Sequence, residues 1–322
     1  MVIPAHDLTC PISNHSVEGV GGCSNSAFPV TAEWSMPEKE ANVAYPERVR
    51  AHIHIRNPLV RNCLSEFFGS FMLLFIGLTT IMQLILSGEK MNTWTQINFG
   101  WGLGVGFCVY ICAKTSGGHY NPAVTMTMVT FGKLPISHFF LYFVVQTAGA
   151  FLGAAVGYIL YYEQFDHFDG GVRAILGPNG TARCFCSVPD PHISNLTCFF
   201  DQICGTGLLV FFVAVIIDKR NKIPEAAHPW LFGFVLVMVG CCMGLNLGYP
   251  INPSRDLGPR IFATFIYGTE LWTIHNYYFW IPIVAPCIGA PMAAWMYHVC
   301  VGGENGTKVG TTLNKFCLRC DK

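Results

Sequence analysis

Apolar residues run through this chain in blocks too long for the helices of a soluble core. The blocks lie at 63–87, 95–114, 136–162, 200–217, 229–248 and 278–301. Each is close to the about 20 residues that a helix needs to cross about 30 Å of hydrocarbon. They predict six membrane-spanning helices. Two connections between them are themselves too apolar to be ordinary loops. Ser116-Gly-Gly-His-Tyr-Asn-Pro-Ala-Val-Thr125 runs on into Met-Thr-Met-Val-Thr-Phe, and Gly248-Tyr-Pro-Ile-Asn-Pro-Ser-Arg-Asp256 into Leu-Gly-Pro-Arg-Ile-Phe-Ala. In both, Asn precedes Pro, the order of a helix N-cap followed by Pro at the first helical position. About ten residues at 1.5 Å rise reach only halfway across a bilayer. Both connections are therefore predicted as re-entrant half-helices, which are tolerated where irregular backbone lines a wet cavity.

The same two motifs mark an internal repeat. Asn121-Pro122 and Asn252-Pro253 stand 131 residues apart, and Glu66-Phe-Phe-Gly-Ser-Phe-Met-Leu-Leu-Phe resembles Gln202-Ile-Cys-Gly-Thr-Gly-Leu-Leu-Val-Phe. Each repeat holds three spans and one half-helix. Three is odd, so the second copy enters the membrane upside down, and the two half-helix N-termini can meet at the midplane. The predicted fold is an all-α membrane protein of six transmembrane helices plus two re-entrant half-helices in an inverted repeat. The expected divisions are an N-terminal tail (1–58), a membrane domain (59–302) and a C-terminal tail (303–322). Within the domain lie repeat one (about 59–162), an external loop (163–198) and repeat two (about 199–302). The first tail is polar and has no apolar stretch near Met1, so a cleaved signal peptide is not expected and the segment reads as mostly disordered.

Composition and charge agree with a bilayer as solvent. Only 12% of the 322 residues are charged, against about 25% in a soluble domain. The 19 basic residues cancel the 19 acidic ones, so no overall field recruits nucleic acid. Placing both tails in the cytoplasm puts 14 of the 19 Lys and Arg residues inside, which predicts a multi-pass protein of the cell membrane with both termini cytoplasmic. No phosphate-binding Gly-rich loop, no nucleophile–base–acid set and no His group at metal-ligand spacing is present, so no enzyme, cofactor or metal is expected.

Two half-helix N-termini aimed at one point place partial positive charge there, which opposes protons and cations. The amides of Asn121 and Asn252 would donate to a passing hydroxyl or water oxygen. An oxygen that accepts both cannot easily continue a proton-conducting chain.

On Asn121-Pro122-Ala123 and Asn252-Pro253-Ser254 the sequence resembles the aquaporin (major intrinsic protein) family, over about Leu59 to Val301. Ser254 departs from the usual Ala; both are small. Phe199-Phe-Asp-Gln-Ile-Cys-Gly-Thr-Gly-Leu, Asn252-Pro-Ser-Arg-Asp-Leu-Gly-Pro-Arg260 and Pro282-Ile-Val-Ala-Pro286 resemble the glycerol-conducting branch, the aquaglyceroporins. The resemblance implies a passive channel for glycerol, water and other small neutral solutes, urea and metalloid hydroxides among the candidates, that excludes protons and ions. It also implies a homotetramer.

Carried over, the family's outer constriction falls on Trp101, Gly240, Tyr249 and Arg255. Gly240 stands where water-selective members are similar in carrying His, so its missing side chain is expected to widen the constriction. Trp101 and Tyr249 would face a carbon backbone, and the Arg255 fork would face hydroxyls. The other reading of Arg255 is an ion pair with Asp256, a residue that itself matches the glycerol branch. His119, two residues before Asn121, would present its carbonyl to the lumen, and its ring could also titrate and make flux pH-dependent. Glu66 is a carboxylate inside a span and a functional candidate on that ground. In the resembled family this position accepts backbone hydrogen bonds from the re-entrant loop, with Gln202 as its uncharged counterpart.

Three rivals remain at this point: a water-restricted aquaporin, a non-conducting membrane organiser, and an active transporter. The last would need membrane-buried charge pairs, and Glu66 alone is expected to be buried. In the external loop, Asn179-Gly-Thr and Asn195-Leu-Thr are glycosylation sequons. Cys184, Cys186 and Cys198 leave room for one disulfide there. Asn14, Asn305 and the Cys317-x-x-Cys320 pair lie in the tails.

Overall fold

The computed structural model describes residues 44–301. The calls on Asn14, Asn305, Cys317 and Cys320 lie outside the described residues. The chain divides into two units, Met1–His54 and Ile55–Lys322. Of the first, the described part carries helix α1 (Tyr45–His52), which has Glu47 in its first turn and Arg50 and His52 in its last, and buries no residue.

The second unit is helical and has no strand among its described residues beyond the isolated Ala174–Gly180 bridge. Repeat one comprises α2 (Pro58–Leu86), α3 (Trp94–Cys112), the half-helix α4 (Pro122–Thr130) and α5 (Ile136–Leu160). A short helix α6 (Tyr162–Asp169) opens the connecting segment. Repeat two comprises α7 (Asn195–Ile217), α8 (His228–Leu247), the half-helix α9 (Pro253–Tyr267) and α10 (Ile281–Met296). Among the described residues, five helices are long and apolar enough to cross a membrane. The sixth expected span, α3, is 19 residues long, carries Gln96 and Asn98, and is closed at its start by a Thr93–Gln96 capping box. Its length reaches about 28 Å at 1.5 Å per residue. The half-helix α9 runs 15 residues, continuing past Pro259 and exceeding the about ten expected of it.

Packing follows the repeat. α2 lies against α3 and α5 as α7 lies against α8 and α10. Each half-helix crosses over: α4 packs on α10 and α9 on α5, so each repeat supplies the support for the other's re-entrant segment. The seam between repeats is α3 on α8. There a Cβ on Gly102 would lie 2.6 Å from the Gly233 carbonyl oxygen, and one on Gly233 would lie 2.5 Å from that of Gly102. Only glycine permits that backbone-to-backbone approach, the device that membrane helices use in place of a hydrophobic driving force.

The connecting segment does not stay outside as a loop. Residues 181–189 fold inward and all are buried except Arg183. Cys184, Cys186 and Cys198 are all free and buried, so the disulfide left open by the sequence is absent. Cys184 and Cys186 pack in the main core and Cys198 in a separate cluster with Tyr278 and Ile281. Burial pushes the Cys184 and Cys186 thiols up, Cys186 to about 11, which keeps them protonated and unreactive.

Candidate functional site

The two half-helices begin alike because Asn and Pro do the same work in both. Asn121 Oδ1 accepts from the Ala123 N–H at 2.8 Å, and Asn252 Oδ1 accepts from Ser254 N–H at 3.1 Å and Arg255 N–H at 3.3 Å. Pro at the next position removes a donor that would otherwise be orphaned. The residue before each Asn is left-handed: Tyr120 has φ +48° and Ile251 has φ +32°. That conformation is costly for non-glycine residues and persists where the surroundings over-determine it.

The surroundings are a crossed pair of hydrogen bonds. Asn121 Nδ2 donates to the Ile251 carbonyl at 3.0 Å, and Asn252 Nδ2 donates to the Tyr120 carbonyl at 2.8 Å. The two re-entrant loops thus meet end to end. An amide nitrogen carries two hydrogens, so each Asn retains one donor after this bond.

Glu66 is fully buried and holds the first loop from behind. Its carboxylate accepts from His119 N–H (3.0 Å), Tyr120 N–H (2.8 Å) and Gln146 Nε2 (2.8 Å). Gln202 holds the second loop, its Oε1 accepting from Ile251 N–H at 2.8 Å. The His119 ring sits with Nδ1 3.1 Å from Thr125 Oγ1.

A cavity of about 1030 Å³ runs past both Asn residues. Its lining follows α3 from Trp101 to Tyr110, about 14 Å along the helix, and continues to Ala113 and Lys114. Leu73, Val105, Leu209 and Leu236 give it an apolar wall, and His119, Asn121, Asn252 and Arg255 give it polar points. Trp101, Tyr249 and Arg255 come together in that lining, with the Arg255 guanidinium 5.3 Å from the Trp101 ring centre. Arg255 Nη1 donates to the Phe185 carbonyl at 3.1 Å.

Gly240 is placed differently from its expected role. It stands behind Tyr249, outside the cavity lining. A Cβ there would lie 2.4 Å from Asn98 Oδ1 and 2.7 Å from Tyr249 Cζ. Tyr249 Oη in turn donates to Asn98 Oδ1 at 2.7 Å. The space opened by the missing side chain is thus occupied by the Tyr249 ring and the Asn98 amide.

Asp256 also departs from the ion pair weighed for Arg255. Its carboxylate bonds Arg260, at 2.9 Å to Nε and 2.8 Å to Nη2, and accepts from Ser187 N–H at 2.8 Å. Arg255 is left facing the cavity. The expectation that Glu66 alone is a buried charge fails as well, since Asp201, Arg255, Asp256 and Arg260 are buried too. The i,i+4 spacing of Asp256 and Arg260 on one helix face was the available signal for that pair. Asp201 lay inside the Phe199–Leu208 motif but was given no role of its own there, and Phe185 and Ser187 carried no motif.

An inverted pair of three-span repeats, two half-helices meeting tip to tip and a lined passage beside them define a membrane channel. The chain belongs to the major intrinsic protein family, whose members are channels and not enzymes: it matches that family over residues 54–297. It is 35% identical to aquaporin-10 of Homo sapiens over 259 residues, covering 80% of this chain and 86% of that one. It is 38% identical to aquaporin-9 of Mus musculus over 245 residues, covering 76% and 83%. Among solved structures, the aquaglyceroporin from Plasmodium falciparum superposes with a TM-score of 0.67 at 29% identity, covering 76% of this chain and 97% of that one.

Proposed function

We propose that this channel conducts glycerol, water and other small neutral solutes down their gradients and holds back protons and ions. The observation that carries the reading is the split lining at Trp101, Tyr249 and Arg255. Two aromatic side chains offer an apolar surface to a CH edge, and a guanidinium with no salt-bridge partner among the described residues offers donors to hydroxyls. A polyol presents one edge of each kind. The same fixed charge, with the two helix N-termini capped by Asn121 and Asn252, opposes cations. In this reading Trp101, Tyr249 and Arg255 form the selectivity filter, with Gly240 behind Tyr249 leaving room for its ring, and Asn121, Pro122, Ala123, His119, Asn252, Pro253 and Ser254 form the central constriction. Glu66, Gln202 and Asp256 support them. Two relatives named as aquaglyceroporins are 37% and 34% identical to this chain over 72% and 92% of its length.

In proteoliposomes, glycerol and water permeabilities well above those of protein-free vesicles are expected, with ion conductance at the protein-free level. Water flux without glycerol flux would instead identify a water-restricted channel, and no flux of either a membrane organiser.

By its likeness to the family the working form is a homotetramer in the cell membrane; the cytoplasmic placement of both termini is supported by the uneven placement of Lys and Arg between the two sides. That orientation puts both external sequons within reach of glycosylation, and their surroundings separate them. Asn179 is exposed in a turn closed by the bond from Gly180 N–H to the Gly177 carbonyl at 3.0 Å. Asn195 is half-buried in the first turn of α7, its Nδ2 committed to the Asn276 carbonyl at 3.0 Å. Expressed in eukaryotic cells, the chain is expected to shift on a gel after glycosidase treatment. Asn179→Gln should remove the shift and Asn195→Gln should leave it; the reverse pattern would refute the assignment.

A further inference from the structure

The inverted repeat is symmetric in its backbone and asymmetric in its charge. In repeat one the group that grips the re-entrant loop is a carboxylate, Glu66, with Gln146 Nε2 donating to it at 2.8 Å. In repeat two the gripping group is an amide, Gln202, which can present either its oxygen or its nitrogen to the loop. Only the oxygen can accept the Ile251 N–H. The adjoining residue removes that ambiguity. Asp201 is buried in the same span, and its carboxylate accepts from Gln202 Nε2 at 3.1 Å and from Asn246 Nδ2 at 2.8 Å. An ionised carboxylate only accepts, so it fixes the amide with nitrogen toward Asp201 and oxygen toward Ile251. No basic side chain pairs with Asp201 among the described residues.

We infer that Asp201 is a positioning residue for the pore, acting through Gln202 and the Ile251 peptide on the Asn121 amide across the repeat boundary. The chain of bonds is continuous. Asp201 orients Gln202, Gln202 Oε1 takes the Ile251 N–H at 2.8 Å, and the carbonyl of that same residue accepts from Asn121 Nδ2 at 3.0 Å. In the opposite sense, Glu66 takes the Tyr120 N–H and the Tyr120 carbonyl accepts from Asn252 Nδ2. Each repeat's buried carboxylate therefore sets the lumen donor of the other repeat. Repeat two merely keeps its charge one residue and one hydrogen bond further back.

This inference rests on the channel reading, so wild-type glycerol flux is measured alongside every variant, and a wild type that conducts nothing would sink the reading and not the positioning role. Gln202→Glu sets two buried carboxylates side by side with no cation between them, and should lower glycerol permeability per folded protein at least tenfold. Asp201→Asn/Gln202→Glu transposes the charge. The amide now at position 201 can donate to the carboxylate now at position 202 and accept from Asn246. That carboxylate can in turn accept the Ile251 N–H, reproducing the Gln146–Glu66–Tyr120 arrangement. The double variant should recover to within about twofold of wild type. Hydrogen exchange in detergent supplies a second readout that loss of packing alone would not localise. Protection at the Ile251 amide should fall in Asp201→Asn, return in the double variant, and stay unchanged at Tyr120. If Gln202→Glu yields no folded protein, the folding and conduction of the double variant alone decide the matter in favour. A double variant no better than Gln202→Glu, or an Ile251 amide equally protected in every variant, would overturn the role of Asp201.

Discussion

Gly240→Ala, a single added methyl group, is expected to cut both glycerol and water permeability at least tenfold while the protein still folds. The added carbon would sit 2.4 Å from Asn98 Oδ1 and 2.7 Å from Tyr249 Cζ, distances at which a neighbour must move. Asn98 has no room to yield, being fully buried. Trp94 Nε1 anchors the Gly240 carbonyl at 3.0 Å, which holds the backbone in place. The Tyr249 ring is left to give way, and it lines the cavity with Trp101 and Arg255. Overpacking of this kind costs about 1–3 kcal/mol, which a folded channel survives and a narrow pore does not. Gly240→Ala/Tyr249→Ala should reopen the passage, since the displaced ring is gone. Stopped-flow light scattering on proteoliposomes reads both variants. Unaltered glycerol flux in Gly240→Ala would mean that Tyr249 yields away from the lumen.

That example also marks where the sequence stopped being informative. The six apolar blocks and the two Asn-Pro starts report local physics: bilayer thickness, a cap and a missing donor. Those elements appear in the structure within a few residues of the expected limits. The glycine at 240 was legible as a missing side chain, whereas what fills the gap depends on Asn98 and Tyr249, 142 and nine residues away in sequence. Likewise Asp256 was legible as a charge beside Arg255. Its true partner is the Arg one helical turn on, with Ser187 descending from a segment that composition marked only as external. Residues 181–189 turn inward because their polar groups find partners there: Ser187 at Asp256, and the Phe185 carbonyl at Arg255. Hydropathy cannot see a loop buried by hydrogen bonds. Asp201 was hidden for a related reason, as an acid satisfied by amides leaves no opposite charge to look for.

Asp256→Ala is expected to lower the recovery of folded protein severalfold. Arg260 is fully buried, and its guanidinium is held by Asp256, by the Ser187 carbonyl at 2.8 Å and by the Leu271 carbonyl at 3.0 Å. On its other oxygen Asp256 accepts both the Ser187 N–H at 2.8 Å and the Ser187 hydroxyl at 2.5 Å. Removing the carboxylate strands a buried cation and a buried N–H together. Breaking a buried pair on one side costs about 3–5 kcal/mol, against a total stability of about 5–15 kcal/mol. The loss would also release the 181–189 segment, and with it the Phe185 carbonyl that fixes Arg255. Because the pair is shielded from solvent, raising salt should not mimic the substitution. Asp256→Ala/Arg260→Met removes both charges and should restore much of the folded yield, since the dominant penalty is the unpaired cation and not the loss of the bond. Size-exclusion profiles and thermal melts in detergent measure both variants. An Asp256→Ala protein that melts within a few degrees of wild type would show that Arg260 finds another partner and that the clamp on the 181–189 segment lies elsewhere.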